Sequence, residues 1–146
     1  MAEAQGRPNA LLLGDDLGVS KQWAALAAGL FVLVSGIFVS GYYRPVYALI
    51  PGQVIVYGAA TVLVLLSAWQ AYQNRGLVVS VLLSIAPVSA LFLQIIAEGQ
   101  GVGNPSLLRI LLLGVGWGIV FGGPVGVVGF LLGYMIKRGT TVTGPV

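Results

Sequence analysis

Four long stretches without a single charged residue dominate this chain: Gln22–Tyr42, Pro51–Tyr72, Leu77–Ala97 and Ile110–Ile136. They hold 21, 22, 21 and 27 residues, and all 11 charges of the 146-residue chain fall outside them. A bilayer core about 30 Å thick takes about 20 helical residues, so each stretch is long enough to cross. Barrel strands would be about 10 residues long and alternate in polarity, and these stretches do not. Nor do they leave a polar face for water, as a helix at the surface of a soluble domain must. Only 8% of the residues are charged, against about 25% in a soluble domain. The expected fold is all-α: one polytopic integral membrane domain over residues 1–146, with four transmembrane helices in an antiparallel up-down bundle. Residues 1–21 and 137–146 form the two tails.

The first span is too long for the apolar region of a removable signal peptide, and Glu3, Asp15 and Asp16 spoil the basic segment that such a peptide carries. The run Ala10–Leu13 is too short to span and reads as interfacial or loop. An even number of crossings puts both termini on one side. That side carries Arg7, Lys21, Arg75, Lys137 and Arg138, and the other carries Arg44 and Arg109. Lys and Arg accumulate on cytoplasmic loops, so both termini are expected in the cytoplasm and the chain in the cell membrane. Trp23, Trp69, Tyr72 and Tyr134 mark the inner boundary, and Tyr42, Tyr43 and Tyr47 the outer one. The basic inner face is expected to attract anionic lipid headgroups. Five basic residues in separate segments make no stripe for nucleic acid.

Local signals refine the spans. Ser20 is a candidate cap for the first helix. Arg44-Pro45 breaks the chain after it, and Pro51 suits the first turn of the second. Gln73-Asn74-Arg75-Gly76 is a tight polar turn that makes spans two and three antiparallel neighbours. The segment Glu98–Ser106 holds three glycines but follows no strand and lacks a Lys-Ser/Thr pair, so it reads as a flexible loop rather than a phosphate cradle. Pro105 is a candidate start for the fourth helix, and Pro124 is expected to kink it.

Three features stand out as candidates for function. In the fourth span Gly114, Gly118, Gly122 and Gly126 recur every fourth residue, and Gly129 and Gly133 extend the face. Without side chains there, another helix backbone can approach closely, either within the bundle or from a partner. A small-residue face on the first span (Ala25, Gly29, Gly36 and Ser40) is one candidate receiver. In the third span Ser80, Ser84, Gln94 and Glu98 lie on one helical face, with Pro87 and Leu91 between them. This polar stripe reads as interhelical glue, with Gln53 and Tyr57 as candidate partners of Gln94, or as a solute path. Glu98 and Arg109 flank the outer loop and form a possible ion pair across it.

Catalysis finds little material. The chain has no histidine and no cysteine, which excludes disulfides, zinc–cysteine sites, iron–sulfur clusters, thiol nucleophiles and a histidine base. Asp15 and Asp16 are the only adjacent carboxylates and have no base beside them. No cofactor or metal site is expected. The segments WQAYQNRG (Trp69–Gly76), LSIAPV (Leu83–Val88) and VVGFLLG (Val127–Gly133) resemble small four-span membrane proteins of haloarchaea. That resemblance implies the fold and no activity. The functional expectation is a non-enzymatic structural or accessory subunit. It would pack through its fourth helix as a homo-oligomer or against a partner membrane protein. The alternative is a small oligomeric transporter or channel.

Overall fold

The computed structural model describes Leu12, residues 14–99 and residues 106–142. Most of the Ala10–Leu13 run, the glycines of the 98–106 loop beyond Gly99, and Pro105 lie outside the described residues, as do residues 1–11 and 143–146 of the tails. Five helices lie wholly within the described residues: α1 (Leu17–Val39), α2 (Tyr43–Leu49), α3 (Gly52–Asn74), α4 (Leu77–Ala97) and α5 (Leu107–Val142). No strand occurs among the described residues. Four of the five helices are long and apolar enough to cross a membrane. The chain is an all-α polytopic membrane bundle.

Helix starts differ from expectation for identifiable reasons. α1 begins five residues before the expected Gln22, because Asp16 and not Ser20 is its cap. The Asp16 carboxylate accepts from the Gly18 and Val19 N–H groups at 2.6 and 3.4 Å. Those donors have no partner inside the helix, and a negative charge is favoured there. α1 stops at Val39, before Arg44-Pro45. Gly41, at φ +74°, makes the turn, a left-handed conformation that glycine adopts at no steric cost. Pro45 then falls in the first turn of α2, where its missing N–H costs nothing. Ser106 starts α5, accepting from the Arg109 N–H at 3.4 Å. α5 runs 36 residues without interruption at Pro124. At 1.5 Å per residue that is about 54 Å, so its ends extend well past a bilayer core.

The helices do not form a symmetrical ring. α4 is central and packs on α5, α1 and α3, and α3 also packs on α5. α1 leans on α4 and barely meets α3. The burial follows: α4 buries eight of its 21 residues, and α1 buries only Ser20 and Ala27 of its 23. Aromatic rings stack along the α4–α5 seam, with Phe92 lying 5.4 Å from Phe121 and 6.1 Å from Trp117. Such stacking contributes about 1 kcal/mol per pair beyond area burial.

Candidate functional sites

All six stripe glycines of α5 are buried and face this chain's own helices. A Cβ built on Gly114, Gly118, Gly122 or Gly126 would meet α4. At Gly122 it would lie 2.8 Å from both the Ile85 Cα and the Ser84 carbonyl oxygen, and at Gly126 it would lie 2.6 Å from the Val81 Cα. The stripe then crosses to α3. Gly129 abuts Ser67 and Val64, and Gly133 abuts Ala68 and Ala71. The face is therefore occupied inside the chain. The small-residue face of α1 does not receive it: Gly29 and Gly36 have no atom within 4 Å of a built Cβ.

The polar stripe of α4 divides. Ser80 and Ser84 are fully buried, together with Ser67 and Gln70 of α3. The Ser67 hydroxyl donates to the Ser80 carbonyl at 2.9 Å and lies 3.0 Å from the Ser84 hydroxyl. The Ser80 hydroxyl bonds to Gln70 Oε1. These bonds tie α3 to α4, each worth about 1 kcal/mol or less in a membrane interior. Gln70 Nε2 beside them, and Ser89 Oγ farther along α4, are buried without a hydrogen-bond partner among the described residues. Ser89 sits against Gly118, so the serines of this face also serve as small residues opposite the glycines. Gln94 is half-buried, and no bond joins it to Gln53 or Tyr57 among the described residues. Glu98 does not reach Arg109. Instead it accepts from the Tyr43 hydroxyl at 3.0 Å, because α2 folds back beside the end of α4.

Two sites were not anticipated. The first is a clasp at the end of the bundle where α1 begins and the α3–α4 turn lies. The segment Gly14–Asp16 docks on the α3–α4 turn, centred on the buried side chain of Asn74. Asn74 Oδ1 accepts from the Asp16 N–H at 2.7 Å. Its Nδ2 donates to the Asp16 carbonyl at 2.8 Å and to the Ser20 hydroxyl at 2.7 Å. The Asn74 carbonyl accepts from the Asp15 N–H at 2.9 Å. Gly14, at φ +97°, admits Asn74 where a Cβ would stand 2.5 Å from its Nδ2. The Asp15 carboxylate lies 3.6 Å from Lys137 Nζ and 4.0 Å from Arg75 Nε, and Lys137 also donates to the Gln73 carbonyl at 3.2 Å. Asp15 is half-exposed, so these ion pairs contribute about 0–1 kcal/mol. The adjacent aspartates thus fasten helix ends. The capping rule could have found Asp16, since it directly precedes an apolar run. Nothing local points to Asn74, which lies 58 residues away.

The second is a cleft at the opposite end. α1 and α3 splay apart over α4 and leave a cavity of about 370 Å³, floored by Pro87 and Leu91 and walled by Val34 and Ala59. Phe38, Tyr43, Tyr47 and Leu91 also line an adjoining chamber of about 320 Å³, together with Glu98. Tyr43 stacks on Phe38 at 4.8 Å and meets the edge of Tyr47 at 6.0 Å. Among the described residues, no group of three metal-ligating side chains forms. Comparison with family models, with curated proteins and with solved structures finds no match to this chain.

Proposed function

We propose that this chain is a non-catalytic component of the cell membrane that works by packing against another transmembrane helix, from a second copy or from a partner protein. The observation that carries the reading is the open face of α1. Ala25, Gly29, Gly36 and Ser40 lie on one side of that helix at spacings of four, seven and four. At about 100° per residue this side is nearly opposite Ser20 and Ala27, the two residues α1 buries. Small residues four apart let two membrane helices approach to backbone contact. The six stripe glycines of α5 have such neighbours within the chain, and Gly29 and Gly36 of α1 have none among the described residues.

The test is the double variant Gly29→Leu/Gly36→Leu, extracted in mild detergent and sized. The parent is expected to run as a complex. The variant is expected to run as a single chain, its dissociation constant raised at least about tenfold. A variant complex of unchanged mass would refute the reading.

Both termini are proposed to be cytoplasmic, following the excess of Lys and Arg at their end. The absence of native cysteine makes the check direct. A membrane-impermeant maleimide applied to intact cells is expected to label Ala48→Cys on α2. It is expected to label Gln73→Cys only after lysis, and the reverse pattern would invert the topology.

A further inference from the structure

We propose that the cleft between α1, α3 and α4 binds a lipophilic monocation: an organic ammonium or phosphonium ion with an apolar body. The two adjoining chambers share Phe38, Tyr43, Tyr47 and Leu91 and differ in chemistry. The larger is apolar, and its floor and walls come from Pro87, Leu91, Val34 and Ala59. In the smaller, Glu98 is the one charged residue of the lining. Three aromatic rings stand at the junction. Aromatic faces carry negative potential and attract cations within about 6 Å of the ring centre.

The Tyr43 hydroxyl donates to Glu98 Oε1 and orients the carboxylate, and among the described residues no hydrogen-bond donor meets Oε2. A cation seated there gains the carboxylate and the rings together, while its apolar part fills the groove over Pro87. An anionic amphiphile would bring like charge against Glu98. A lipid with a net anionic headgroup would do the same.

The test uses the full chain in lipid nanodiscs with two ions of the same shape and opposite charge, tetraphenylphosphonium and tetraphenylborate. Equilibrium dialysis against empty nanodiscs isolates the saturable part of the binding. Tetraphenylphosphonium is expected to bind saturably, and tetraphenylborate is not expected to displace it. Glu98→Gln is expected to weaken binding about tenfold or more. Glu98 is exposed, and the amide oxygen still accepts from Tyr43, so this variant retains the local geometry. Ala59→Trp, which fills the groove without touching the charge, is expected to weaken binding comparably. No saturable component, equal affinity in Glu98→Gln, or equal binding of tetraphenylborate would each overturn the proposal and leave the groove to lipid acyl chains.

Discussion

Gly133→Leu is expected to abolish the folded bundle, and Gly133→Ala to lower its stability by about 3 kcal/mol or more. A Cβ at Gly133 would overlap the Ala68 carbonyl oxygen and stand 2.8 Å from the Ala68 carbonyl carbon and 2.9 Å from the Ala71 Cβ. These are backbone and near-backbone atoms of α3, so no rotamer change relieves the overlap. The helices must separate, and every contact along the α3–α5 seam weakens with them. Gly116 is the control, because a Cβ there meets no atom within 4 Å. Gly116→Ala is expected to be neutral or to stabilise by up to about 1 kcal/mol through helix propensity. Helicity followed through a titration with sodium dodecyl sulfate in mixed micelles measures both. Equal midpoints for Gly133→Ala and the parent would show that α5 does not pack on α3 as described.

Asn74→Ala is expected to release the segment Gly14–Ser20 from the bundle, at a cost of about 3 kcal/mol. The side chain makes three hydrogen bonds to that segment, and it is 2% exposed. Each buried polar partner left unsatisfied costs about 1–3 kcal/mol. Asn74→Asp separates shape from chemistry. The carboxylate still accepts from the Asp16 N–H, but it cannot donate to the Asp16 carbonyl or to Ser20, and it adds negative charge beside Asp15 and Asp16. It is expected to be at least as damaging as alanine. Hydrogen exchange locates the effect: the amides of Asp15, Asp16 and Ser20 should exchange much faster, while those in the middle of α4 hold. Unchanged protection at residues 15–20 would remove Asn74 from the role assigned to it.

These two variants also mark how far the chain could be read without its fold. The glycine spacing of α5 showed that the helix packs closely, and the structure adds against what: α4 for the first four glycines and α3 for the last two. Asn74 read as a turn residue because its partners lie 58 and 54 residues back in the chain. Glu98 and Arg109 made a reasonable ion pair by position along the chain. The short helix after Gly41, which no periodicity signals in seven residues, instead delivers Tyr43 to Glu98.

The sequence by itself determined the solvent, the number of crossings and the positions of the spans to within a few residues. Each of those depends on the polarity of a contiguous run of 20 or so residues, and the cost of placing charge in lipid makes that signal strong. Which helix lies beside which was left to the tertiary structure. Four apolar helices in lipid gain no hydrophobic advantage from one neighbour over another, so their arrangement is decided by backbone approach at small residues and by a few polar bonds between distant positions. Those contacts place α4 at the centre, close the glycine face of α5 and leave α1 open. They also produce the cleft whose smaller chamber Glu98 lines.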